Sequence, residues 1–227
     1  MEWLFREIGA DEVETELTQR DQFNNDEVDL SEALVRETIQ NSLDASLPDG
    51  PVHVRFSFID QSMGLDPVKF KVLFDGLVPH LNEVGLLQNG FDWDKPSVLL
   101  IEDFGTSGLT GSFHEKDEGN FSDFWRRHGR SHKQGGRGGQ WGLGKLVYSS
   151  SSRLRTFFGL TIRSDDRLEL LMGQSVLKTH KLNQTEYAPH GFYAEKVGSG
   201  FQLPTQDSEI ISGLKQIIGS DRRNHSG

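Results

Sequence analysis

Glu37-Thr38-Ile39-Gln40-Asn41-Ser42-Leu43-Asp44-Ala45 lies in a stretch that predicts a helix. Ser31 can cap it and Pro48-Asp49-Gly50 stops it, which places the helix over about residues 31–46. Helical spacing of i, i+4 and i+7 puts Glu37, Asn41 and Asp44 on one face. That face offers a proton acceptor, a metal-ligating amide oxygen and a hydrogen-bond acceptor. Val35, Ile39 and Leu43 form an apolar stripe roughly opposite, the side expected to face a core. An ordinary solvated face could carry the same polar trio, so its meaning depends on what the rest of the chain brings to it.

Moving out from that helix, residues 1–29 form an acidic arm with Trp3, Leu4, Phe5 and Ile8 as its concentrated apolar face. Such an arm packs on its own molecule or on a second copy. Val52–Ile59 alternates as a strand does, and Ser97–Ile101 is a short apolar run of the kind found in buried strands. Residues 104–144 are rich in Gly, Ser, charge and His and show little periodicity, which predicts a long functional loop. A helix is expected from Leu146 to Ser152. Strands are expected over Leu154–Ile162 and Leu168–Met172, joined by a turn at Ser164–Arg167, with more strand signal at Ser175–Lys178 and Phe192–Ala194. Ile210, Ile211, Leu214, Ile217 and Ile218 have helical spacing after a cap within Thr205–Asp207.

The composition narrows the function classes. The 227 residues suffice for one sizeable domain or a domain with an appendage, and they include no cysteine. Disulfides and cysteine-held zinc are excluded, and a reducing compartment is implied. The first residues lack the basic and apolar regions of a signal peptide, and no apolar run approaches membrane-spanning length. A soluble, cytoplasmic protein with no membrane partner is the expectation. A net charge of −10 opposes nonspecific binding of nucleic acid. The basic run Arg126-Arg127-His128-Gly129-Arg130-Ser131-His132-Lys133 reads as a solvated loop. His128 and His132 have metal spacing, but Gly129 weakens a helix there and no H-E-x-x-H pattern is present. His180 and His190 show no partner pattern.

Two glycine-rich motifs remain. Glu102-Asp103-Phe104-Gly105-Thr106-Ser107-Gly108 follows the Val98–Ile101 run, so Asp103 would emerge at a strand end among residues that permit close backbone approach. A carboxylate there suits an exocyclic amine such as that of adenine, although a plain Asp-Gly turn has the same composition. The second motif runs Gly135-Gly136-Arg137-Gly138-Gly139-Gln140-Trp141-Gly142-Leu143-Gly144-Lys145 and opens onto the expected helix. Its amides, with Lys145 or Arg137, could face phosphate oxygens. It is not a Walker loop, because Leu146 stands where Ser or Thr would ligate magnesium. Its G-x-x-G-x-G spacing is not the dinucleotide pattern either.

Taken in order, E-x-x-x-N-S-x-D-A on a helix, D-x-G after a strand, a long loop and G-x-x-G-x-G before a helix resemble the GHKL (Bergerat-fold) ATPases. That superfamily includes the gyrase B subunit, MutL, MORC proteins, the ninety-kilodalton heat-shock chaperones and sensor histidine kinases. The resemblance covers roughly residues 30–205. It implies an α+β, two-layer sandwich with a mixed sheet and helices on one face. It also implies a lid over about residues 104–144, and residues 206–227 as the start of a following region. By the same resemblance, Glu37 would be the general base activating water and Asn41 would ligate Mg2+. Asp44 and Ala45 would support the nucleotide pocket, Asp103 would read the adenine amine, and Gly105 and Gly108 would let the base approach. Gly139, Gly142, Leu143, Gly144 and Lys145 would wrap the phosphates, and Ser199 would set a hydroxyl near Asp103.

The family's D-x-G-x-G has one extra residue here, before Gly108. Its lysine-bearing second domain has no room in this chain, so a longer protein is implied. The function implied is ATP hydrolysis with Mg2+, with lid closure and homodimerisation driving a partner or further domains, nucleic acid entering through those other domains. The alternatives are a histidine-kinase-type phosphotransferase, for which no phospho-acceptor helix precedes Ser31, and a nonhydrolytic ATP sensor.

Overall fold

A computed structural model of the chain describes residues 1–9, 29–88, 90–114, 119–126, 146–198 and 202–219. In chain order the elements are β1 (Glu2–Glu7), α1 (Leu30–Asp44), β2 (His53–Ile59), a 3-10 turn (Gln61–Met63), α2 (Pro67–Val72) and α3 (Val78–Glu83). They continue with β3 (Val98–Phe104), α4 (Asn120–Trp125), α5 (Leu146–Ser151), β4 (Thr156–Ile162) and β5 (Glu169–Val176). The last are β6 (His180–Leu182), β7 (Thr185–Lys196), β8 (Gln202–Leu203) and α6 (Ser208–Ile217). The architecture is α+β.

The larger sheet has the order β1-β7-β5-β4, with β6 and β8 also on β7, while β2 and β3 pair separately. Every pairing among the described strands is antiparallel, in place of the expected mixed sheet. The connections explain much of this. A tight turn joins β4 to β5, where Arg163 N donates to Leu168 O and Arg167 takes φ +63°. Asn183 and Gln184, both at positive φ, join β6 to β7. Loops this short fold a strand back on its neighbour, whereas parallel strands need a long crossover.

Residues 2–7 of the expected arm are a strand of this molecule's own sheet. Trp3 is buried, and its Nε1 donates to Leu73 O at 2.8 Å. Residues 10–28 of that arm lie outside the described residues. Residues 60–96, for which the sequence predicted no element, supply α2 and α3. These carry Phe70 and Leu81 into the largest core cluster, along with Phe74 and Leu77 from the link between them. Pro67 opens α2, and Asp66 caps it through the amides of Val68 and Lys69.

The apolar stripe on α1 faces solvent: Val35 is 42% exposed, Ile39 40% and Leu43 58%. The buried side carries Ala33, Leu34, Thr38 and Ser42 instead. Small residues permit the close approach of α5, and Ser42 satisfies its own hydroxyl by donating to Thr38 O at 2.9 Å. The cap is Asp29, which accepts from Ser31 N, and the expected Ser31 cap is displaced by two residues.

Within the stretch expected to form a lid, Asn120–Trp125 is the helix α4. Phe121 is fully buried and Trp125 nearly so, one helical turn apart on the face that packs against the sheet. At the other end of the chain, α6 starts at Asp207, whose side chain accepts from Glu209 N and Ile210 N. It buries Ile211 and Leu214 in a cluster with Leu171 of β5. Described residues after 206 therefore pack on the same core.

Candidate functional site

Strand alternation determines which way Asp103 faces. Leu99 and Ile101 pack with α1 and α5, whereas Val98 and Leu100 pack into the cluster built on α2 and α3. Asp103 shares the parity of Leu99 and Ile101, so it emerges on the α1–α5 side. Glu102, on the other parity, is buried and accepts from Arg55 Nε at 2.9 Å.

The turn after Asp103 is held on two sides. Leu47 N donates to Gly105 O and Ser107 N to Ala45 O, which ties the turn to the exit of α1. Leu109 N donates to Thr161 Oγ1, and Ser164 N to Ser107 O, which ties it to β4. Gly105 adopts φ +77°, and a Cβ there would sit 2.5 Å from the Pro51 carbonyl oxygen. At Gly108, with φ +67°, a Cβ would sit 2.7 Å from Ile162 O. The space freed by these glycines is filled by the chain's own backbone. Between them Thr106 is 0% exposed, and its hydroxyl has no hydrogen-bond partner among the described residues, a state that a ligand or bound water relieves.

On α1, Leu34 and Asn41 share an azimuth two turns apart. Leu34 is buried while Asn41 is exposed, so along this line of the helix packing gives way to accessible space, although Ser42 beside it stays buried. Glu37 is half-buried beside it, and Asp44 is exposed at the helix end. Tyr148 of α5 meets this face, and Asn41 Nδ2 donates to its Oη at 3.5 Å. Phe124 and Phe157 flank the ring at 6.1 and 5.7 Å. Burial pushes the phenol above its ordinary range. Asn41 and Thr38 pull it down, and the Asp103 and Glu37 carboxylates push it up. Tyr148 thus meets the amide of Asn41 and lies within electrostatic reach of both carboxylates. It stays protonated at neutral pH, with an O–H to donate and lone pairs to accept.

The chain matches no protein-family model, no curated protein and no solved structure.

Asn41 thus contacts Tyr148, Glu37 and Asp103 lie within electrostatic reach of the same phenol, and Gly105, Gly108 and Ala45 form the turn and helix exit next to Asp103. Gly139, Gly142, Leu143, Gly144, Lys145 and Ser199 lie outside the described residues, as do His128 and His132. Among the described residues no group of three or more His, Asp or Glu side chains gathers to hold a metal. A divalent ion at Asn41 would need oxygens from a bound ligand, which is the usual arrangement for Mg2+ on a nucleotide. No helix of the described residues is long and apolar enough to cross a membrane.

Sequence reading passed over Tyr148. Its signal is slight: it is the one polar-tipped aromatic in the helix that opens after Gly144. The reading also left His180 unpartnered, whereas its Nε2 lies 2.7 Å from His80 Nδ1.

Proposed function

We propose that the chain is an ATP-binding, Mg2+-dependent ATP-hydrolysing domain of the GHKL type. One observation carries the reading. Three motifs far apart in sequence, Glu37 with Asn41, Asp103, and the helix that opens after Gly144, converge on Tyr148. In this reading Asp103 accepts from the adenine amine, and the orphan hydroxyl of Thr106 supplies a second polar contact beside it. Asn41 Oδ1 would be the side-chain oxygen that holds Mg2+, and the bound ion would supply charge neutralisation for the phosphates. Glu37 would orient a water and take its proton as the oxygen attacks the terminal phosphorus, while the bond from that phosphorus to the bridging oxygen breaks and ADP leaves.

The stretch from Gly105 to Arg126 is pinned where described: Arg163 Nη1 donates to Gly111 O at 2.7 Å and Arg126 Nη2 to Phe113 O at 2.8 Å. In this reading ATP binding closes the lid. Closure favours pairing with a second copy, and the output is conformational work on a partner or on further domains.

The test uses the full chain with radiolabelled ATP. The parent is expected to bind ATP and release phosphate without labelling itself. Asp103→Asn should lose at least tenfold in ATP affinity, and Glu37→Ala should bind ATP while phosphate release falls at least a hundredfold. Equal ATP affinity in Asp103→Asn would sink the pocket assignment. Binding without phosphate release in the parent would favour the sensor, and labelled protein would favour the phosphotransferase.

A further inference from the structure

We infer that Tyr148 is a positioning residue for the metal: it holds the side-chain amide of Asn41 so that Oδ1, and not the NH2, faces the phosphates. This rests on the nucleotide reading of the site. A side-chain amide has one metal-ligating end and one repelling end, and the two exchange by a half-turn about the last side-chain bond. An exposed Asn has nothing of its own to choose between them. Here Nδ2 is directed at the Tyr148 oxygen, at the outer limit of hydrogen-bond length, which ligand binding can tighten. The phenol oxygen is fixed in turn. Its ring is wedged against Phe124 and Phe157, on the helix that packs with α1. With Nδ2 held there, Oδ1 points away from α5 toward the accessible side of the helix. Partners of this kind govern ligand orientation at metal sites, and losing one costs 10- to 100-fold in metal affinity.

The geometry yields a specific non-additivity. An aspartate at position 41 presents an oxygen whichever way it turns, so it has no orientation for Tyr148 to fix. Tyr148→Phe removes only the hydroxyl and keeps the ring packing. The experiment titrates Mg2+ against the full chain with a nonhydrolysable ATP analogue by calorimetry. Binding of the same analogue is measured in parallel with EDTA.

Tyr148→Phe should raise the half-saturating Mg2+ concentration about tenfold or more, with analogue affinity in EDTA unchanged. In an Asn41→Asp background the same substitution should change the Mg2+ dependence less than threefold. The inference is overturned if Tyr148→Phe leaves the Mg2+ dependence alone, or shifts it equally in both backgrounds. Tighter Mg2+ binding would overturn it too, since Tyr148 would then have been competing for Oδ1. A parent chain that binds the analogue only in EDTA-insensitive fashion, with Asn41→Ala silent, overturns the placement of the metal and this inference with it. A parent that shows Mg2+ dependence lost in Asn41→Ala, beside a silent Tyr148→Phe, overturns this inference alone.

Discussion

Gly105 is the most exacting position of the turn that presents Asp103. Alanine there must hold φ +77° and press its methyl into the Pro51 carbonyl oxygen, 2.5 Å away. That oxygen belongs to the backbone and cannot swing aside, so both penalties stand. Gly105→Ala should cost about 2–4 kcal/mol, read from urea denaturation. Gly64 is the matched control: it has φ +93° but nothing within 4 Å of the added Cβ, so Gly64→Ala pays the backbone term alone, about 1–2 kcal/mol. Equal losses would mean that the carbonyl contact is not what demands glycine at position 105. The D-x-G motif was legible at this position, but what fills the glycine's space was not. Pro51 is more than fifty residues from Gly105, and no local pattern brings them together.

At α4 a segment that reads as loop proves to be structural. Trp125 lies flat on Phe157, with centroids 5.4 Å apart and planes 8° from parallel. Beneath it Gly159 leaves the room: a Cβ there would come 2.8 Å from Trp125 Cζ2. Trp125→Ala should lose about 3–5 kcal/mol in denaturation, because the socket cannot collapse onto a rigid strand. A loss below 1 kcal/mol would show that Trp125 does not anchor α4 to the sheet. Six residues are too few for helical periodicity to stand out, so α2, α3 and α4 escaped the sequence, while α5, of the same length, was placed with the help of the glycine motif that opens onto it. Longer elements were readable: β2, β3, β4 and α6 lie within a few residues of expectation. α1 was found as an element yet rotated, because the rule that apolar residues mark the packed face fails where close approach selects Ala, Thr and Ser. The Glu37–Asn41 face was legible through residue type and spacing. Tyr148 was not, since its role exists only once α1 and α5 touch.

The described elements meet in a cluster that makes stability sensitive to pH. His80 of α3 stacks on Phe5 of β1 at 4.2 Å, touches Tyr187 of β7 and lies against His180 of β6. His180 Nδ1 faces the Lys178 carbonyl at 2.8 Å and must donate to it, which leaves Nε2 to accept from His80 Nδ1. Burial, then the neighbouring His180, lowers the His80 pKa to about 4. The unfolded value is near 6.5. Between those limits the unfolded chain takes up a proton that the folded chain refuses. Stability from this site is thus complete above about pH 6.5 and falls with acidification toward pH 4, by about 1.4 kcal/mol per unit at the steepest. His80→Gln should flatten that part of the profile in urea unfolding between pH 7 and pH 4.5; a parent-like slope would clear His80 of the effect. The same cluster bears on the order of events during synthesis. β1 pairs residue 3 with residue 193, and Trp3 shares a core cluster with Ile217. When β1 leaves the ribosome its partner strand has not been made, and contacts of such long range are the slow ones to form. Trp3, Leu4 and Phe5 then wait as an unpaired apolar segment until β7 is complete, so the first part of this chain to be synthesised is the last to find its place.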